Sequence, residues 1–183
     1  MYNKFKIATL FCLFVVFLFS CGEEEYAGDE LISYPDFNQI LQDEWDMDAP
    51  LVYWRVIRTA SMVDSVQVQS TEMPWEVIKD IFSKANIQKE ELNHHYAIDI
   101  LNDSVSNSIT LYYKALAPKD FTRKVSIVSD GESSDLISLY FETNEKGDAN
   151  RNGDRILFVP NKLLQIQKRQ DKSIAVETYY FPK

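Results

Sequence analysis

The chain is poor in cysteine, glycine and histidine: of 183 residues, 2 are Cys, 5 are Gly and 2 are His. Each shortage removes a class of chemistry. Cys12 lies inside an apolar leader, so after its removal Cys21 has no partner, and an intramolecular disulfide is excluded even in an oxidising compartment. Stability must then come from a packed core. Five glycines form no glycine-rich phosphate loop. No serine stands in a G-x-S-x-G elbow, and the only candidate bases for a serine nucleophile are His94 and His95. Adjacent residues on an extended chain point to opposite sides, so these two cannot share a metal ion without a turn; Glu90 and Glu91 would help only on a helix. No cofactor is expected. Also missing are clusters of Lys and Arg interleaved with aromatics. With a net charge of −9 the surface repels phosphate backbones, so nucleic acid is not an expected partner.

What is present begins with Lys4 and Lys6, then a run from Ile7 to Phe19 whose only conventional polar member is Thr9, then Ser20-Cys21. That is the layout of a secretory signal. The run is shorter than the ~20 residues a helix needs to cross a hydrocarbon core, and nothing later is both long and apolar enough. Leu18-Phe19-Ser20-Cys21 resembles the lipobox of bacterial lipoproteins, although Phe19 is an unusual occupant of its position. The resemblance implies lipidation of Cys21, and two or three acyl chains at ~0.8 kcal/mol per buried methylene hold a protein on a bilayer where one chain does not. Residues 1–20 would be the signal, leaving 163 residues with 17 basic and 28 acidic side chains, enough for one domain burying about 70% of its unfolded surface. Residues 21–33 read as an acidic tether. Glu23, Glu24 and Glu25 within it resemble the acidic export signal of Bacteroidota lipoproteins, which implies the outer membrane and its outer face.

The domain, 34–183, shows two helical patterns. Phe37, Ile40, Leu41 and Trp45 lie on one helical face after Pro35, with Asp46, Asp48 and Pro50 ending the run. Pro74 opens a second helix in which Trp75, Ile78, Phe82 and Ala85 recur at near-helical spacing. Between them LVYWRVIRT and SVQVQ alternate as a hairpin, with Gln67 and Gln69 facing out. After Asn86 come strand patterns at 95–100, 108–116, 124–129, 136–143, 155–159, 162–170 and 173–181. Turn signals separate them, Asn102-Asp103, Asp130-Gly131 and Asn152-Gly153 among them. Connections this short suit hairpins, and no βαβ unit appears. The expected fold is α+β: an antiparallel sheet of about seven to nine strands, curled into a half-barrel and covered by two amphipathic helices.

The order of elements resembles a family of small Bacteroidota lipoproteins of unknown function. The shared features are a tryptophan-led helix ending in Ala85-Asn86-Ile87, a Tyr-x-x-Asp strand at Tyr96 to Asp99, Tyr113-Lys114-Ala115, and Pro160, Leu163, Gln165 and Ile166. Where the family usually continues with aspartate and a proline after the helix, this chain has Asn86 and Lys89-Glu90. The resemblance implies a lipoprotein and an α+β domain and carries no activity.

Two clusters remain. Asp148, Asn150, Asn152 and Asp154, with Gly153, resemble the first half of a calcium loop, but position 12, which should supply a bidentate carboxylate, is Val159. The stretch suits a hairpin loop better, since Asn and Gly tolerate positive φ. The second cluster is aromatic: Tyr112, Tyr140 and Tyr179 on the outward side of their strands would stack on sugars or a protein partner, and tyrosine is also simply a good strand former. With 28 acids, a glycosidase-like carboxylate pair has no sequence signature. The expectation is a lipid-anchored outer-membrane protein with a non-catalytic binding domain and an envelope protein or glycan as partner. The alternatives are a carboxylate-dependent hydrolase and an assembly or scaffold subunit.

Overall fold

In the computed structural model, residues 34–45, 51–88, 92, 94–145, 148–170 and 173–182 are described, and they belong to a unit running from Tyr34 to Lys183. Helix α1 spans Phe37–Glu44, capped by Asp36, whose Oδ1 accepts from the backbone N–H groups of Asn38 (2.9 Å) and Gln39 (3.4 Å). The carboxylate satisfies two donors that the helix itself leaves open, and Pro35 therefore sits before the cap and not in the first turn. Phe37 and Leu41, four residues apart, are buried. Trp45 is buried too, but as the extended residue just past the helix.

Helix α2 spans Trp75–Ala85, with Pro74 at its start and Ile78, Phe82 and Ala85 buried along one face. Asn86 ties the end of α2 to the start of α1: its side chain donates to Asp36 Oδ1 (3.0 Å) and accepts from the Phe37 N–H (3.3 Å). Thr122 donates its hydroxyl to the carbonyl of Ala85 (2.7 Å), satisfying an acceptor in the last turn.

Among the described residues nine antiparallel strands form one sheet: β1 (Val52–Arg58), β2 (Val63–Gln69), β3 (Tyr96–Asp103), β4 (Ser108–Ala115), β5 (Thr122–Asp130), β6 (Leu136–Glu145), β7 (Asp148–Val159), β8 (Leu163–Gln170) and β9 (Ser173–Tyr180). Their spatial order is β2-β1-β9-β8-β7-β6-β5-β4-β3, so β3 to β9 run as a meander. The one long-range pairing sets β1 beside β9, and β2 and β3 are left as edges of a sheet that does not close. This is the α+β architecture that the hairpin spacing predicts.

The core lies between the two helices and one face of the sheet. Phe37 stacks on Phe141 (5.1 Å between ring centres), Phe82 meets Phe141 and Phe158 edge-on, and Trp45 stacks on Phe158 (5.8 Å) with Trp75 against its edge. Each fully buried large side chain contributes about 1.5–3 kcal/mol, with ~0.5–1.5 kcal/mol more from a well-placed aromatic pair. Trp45 also donates its indole N–H to the Tyr53 hydroxyl (2.9 Å), so the ring is buried without leaving its donor open.

One expectation is corrected here. Asn152-Gly153 is not a turn: both residues lie inside β7, and β6 and β7 extend to Glu145 and Asp148. Gly153 is there for space, since a Cβ on it would lie 2.5 Å from the carbonyl carbon and oxygen of Asn144, where the β6–β7 register shifts. In β1, where apolar residues occupy both phases of the alternation, Tyr53 turns inward and Trp54 outward.

Candidate functional site

Both described helices pack on the face of the sheet that carries Tyr53, Phe141 and Phe158; the opposite face, which neither of them covers, is called the open face. Directly paired residues share a face, so the strand register traces rows across that open face at right angles to the strands. One row runs Trp54, Tyr180, Leu163, Val159. Trp54 and Tyr180 are neighbours across β1 and β9 and are 49% and 43% exposed. The next row runs Val56, Thr178, Gln165, Leu157, Tyr140, Ser126, Tyr112. Within it Gln165 donates to the Thr178 hydroxyl (3.2 Å). The third runs Arg58, Val176, Gln167, Arg155, Glu142, Lys124, Lys114. Rows two residues apart along a strand lie about 6.5–7 Å from one another.

The third row is organised around Glu142. Its Oε1 accepts from the Tyr140 hydroxyl (2.5 Å) and lies 3.5 Å from Arg155 Nε, while Oε2 lies 3.6 Å from Lys124 Nζ. Partial burial, then the hydrogen bond to Glu142, push the Tyr140 hydroxyl well above its ordinary titration range. Tyr140 is therefore a neutral donor and a fixed ring at neutral pH.

Tyr112 and Tyr140 thus share the open face, both paired with Ser126 on the strand between them. Tyr179 does not join them. It is 1% exposed on the covered face, paired with Arg55 and Leu164, and its hydroxyl donates to Glu177 (2.6 Å). A strand's phase is all-or-none: with Tyr179 turned to the core, Tyr180 takes the outward position. Trp54 and Tyr180 are the site residues that sequence reasoning missed, and the pairing of β1 with β9 that unites them has no local signal.

Of the calcium-like residues, Asp148, Asn150 and Asn152 are described only as backbone of β7. Asp154 faces the covered side, where burial raises its carboxyl above the usual range and Lys168 opposes that shift. Among the described residues no three His, Cys, Asp or Glu side chains converge on an ion-sized space. Cys21 and Glu23, Glu24 and Glu25 lie outside the described residues. Among those described, no helix is long and apolar enough to cross a membrane.

The histidines part company. His94 has φ of 70° and its backbone N–H reaches the Tyr34 hydroxyl (3.3 Å). His95 Nδ1 lies 3.2 Å from Oδ1 of Asp120, a side chain only 6% exposed, whose Oδ2 has no partner among the described residues. The pair joins residues 25 apart, with nothing in either segment to announce it. Hydroxyls at this end of the sheet are already engaged: Tyr96 donates to the Thr122 carbonyl and Thr122 to Ala85. The Asp120 carbonyl accepts from Asn144 Nδ2 (2.7 Å). The arrangement orients an imidazole and anchors the β4–β5 connection. Between α1 and α2 an open groove of about 350 Å³ is lined by Asn38, Leu41, Gln42, Glu76, Lys79, Asp80 and Ser83; Asp80 is held by Lys84 (2.5 Å).

No family model, curated protein or solved structure matches this chain.

Proposed function

We propose that this protein is a lipid-anchored envelope protein, held at the outer membrane through Cys21, whose domain binds a partner non-catalytically through the open face of its sheet. The observation that carries the binding reading is the Trp54–Tyr180 pair, two large aromatics left about half-exposed side by side on a face that neither helix covers. Burying such side chains in the folded chain would have been favourable, and aromatics on an exposed patch are the residues that dominate recognition. The Leu18-Phe19-Ser20-Cys21 tetrad and the three glutamates after it support the anchor and its outer-membrane address.

Two measurements test this. Metabolic labelling with a palmitate analogue is expected to mark the protein, and Cys21→Ser to abolish both the label and membrane fractionation. Crosslinking in intact cells is expected to capture an envelope component, with the yield falling for Trp54→Ala at unchanged protein level. An unlabelled protein defeats the anchor, and a crosslink indifferent to Trp54→Ala defeats the open face.

A further inference from the structure

We infer that the ligand of the open face is a linear acidic polysaccharide laid across the strands, its sugar rings on the aromatic rows and its carboxylates on the cation row. This rests on the reading of the open face as the binding surface and adds the class of ligand.

Direction comes first. The cation row holds Arg58 on β1, Arg155 on β7, Lys124 on β5 and Lys114 on β4, six strand spacings from end to end, or about 29 Å. A ligand that follows the row is extended and runs perpendicular to the strands. Charge comes second. In a chain with 28 acidic and 19 basic residues, this row has four cations and one acid, Glu142, so the local sign is the reverse of the whole. An anionic ligand is repelled by the molecule at large and attracted to this strip. Shape comes third. The row beside the cations carries Tyr140 and Tyr112 with Ser126 between them, then Leu157 and Gln165 on the β7–β8 side, and a single acid, Asp99, at the β3 end. Flat rings suit the C–H faces of pyranoses, and the Ser126 hydroxyl between them suits a sugar hydroxyl. A uronic-acid polymer offers one apolar face and one charged edge per ring, which is the pattern of two adjacent rows, one aromatic and one cationic. A single-stranded nucleic acid shares the linear charge and the stacking rings, and tighter binding of it is one of the outcomes that overturn the inference.

The test uses full-length protein in detergent and affinity electrophoresis with polygalacturonate, alginate and hyaluronate. Fully methyl-esterified pectin serves as the uncharged partner of the first, and dextran sulfate and oligo(dT) as unrelated polyanions. At least one acidic polysaccharide is expected to retard the protein, with methyl esterification, Tyr112→Ala and the double variant Arg58→Gln/Lys124→Gln each weakening binding about tenfold. Near-ultraviolet circular dichroism checks that the variants stay folded. Failure on all three acidic polymers overturns the inference. So does equal binding of the esterified polymer, equal or tighter binding of dextran sulfate or oligo(dT), or concentration-dependent self-association abolished by Trp54→Ala. If these tests fail while the cellular crosslink still depends on Trp54, the open face stands as a binding surface and only the polysaccharide is lost.

Discussion

The two faces of the sheet carry the same three side chains, an arginine, a glutamate and a tyrosine, in different settings. On the covered face, Arg55 Nε and the Tyr179 hydroxyl both lie 2.6 Å from Glu177 Oε1. On the open face, Tyr140 is equally close to Glu142, but Arg155 stands at 3.5 Å and Lys124 at 3.6 Å. The first cluster is a tight joint that fixes β1 to β9, residues 122 apart in the chain. In the second, the tyrosine is locked while the cations are loosely held, and so can turn to an anion at small cost. The two glutamates are equally exposed, at 18%, so what separates the clusters is geometry: the covered-face arginine closes on its carboxylate and the open-face cations do not.

The sharpest way to break this comparison is to truncate neighbours on β7. Phe158→Ala removes a ring that is 0% exposed beneath Trp45 and is expected to cost about 3–5 kcal/mol. Leu157→Ala, one residue away on the open face, is expected to cost less than about 1.5 kcal/mol. Urea unfolding midpoints measure both, and equal losses would mean that the open face is packed in the folded chain. Next are the glutamates: Glu177→Gln is expected to lower stability by about 1.5 kcal/mol, because it weakens two short charge-assisted bonds, and Glu142→Gln by less than ~1 kcal/mol.

A smaller effect separates the faces by pH. The Asp154 carboxyl, on the covered side, is raised by burial. The native state therefore holds its proton to higher pH than the unfolded chain, so stability falls as pH rises from about 4 through the raised value. Asp154→Asn is expected to flatten that slope and to add less than ~1 kcal/mol at neutral pH, read from unfolding midpoints between pH 4 and 7. The least effect belongs to the Asp80–Lys84 pair, i to i+4 on α2 with both side chains more than half exposed; Lys84→Ala is expected to change stability by no more than about 0.5 kcal/mol.

Much of the fold was legible because its signals are local. Pro74 and the spacing of Ile78, Phe82 and Ala85 locate α2, and Asp130-Gly131 marks a true turn, in which Asp130 accepts from the N–H groups of Glu132 and Ser133 (both 2.9 Å). Asn152-Gly153 misled because Gly serves close approach as well as turns, and the Asn144 carbonyl that demands it is met only in the folded sheet. The candidate site was half visible. Tyr112 and Tyr140 stood out as strand aromatics, but β1 has apolar residues in both phases, so period-two alternation was mute about Trp54. The tyrosine pair at the end of β9 was equally ambiguous: a shift of one residue exchanges Tyr179 for Tyr180.

Elements, their hairpin connections and the class of architecture follow from interactions between residues a few positions apart, and such interactions are written in the chain directly. The choice of face does not. Each strand offers two phases, and which one meets the core depends on its partner's register and on where α1 and α2 come to rest, contacts between segments far apart in the chain. The cationic row exists only once seven strands, β1 and β4 to β9, are aligned side by side, because a row takes a single residue from each strand it crosses.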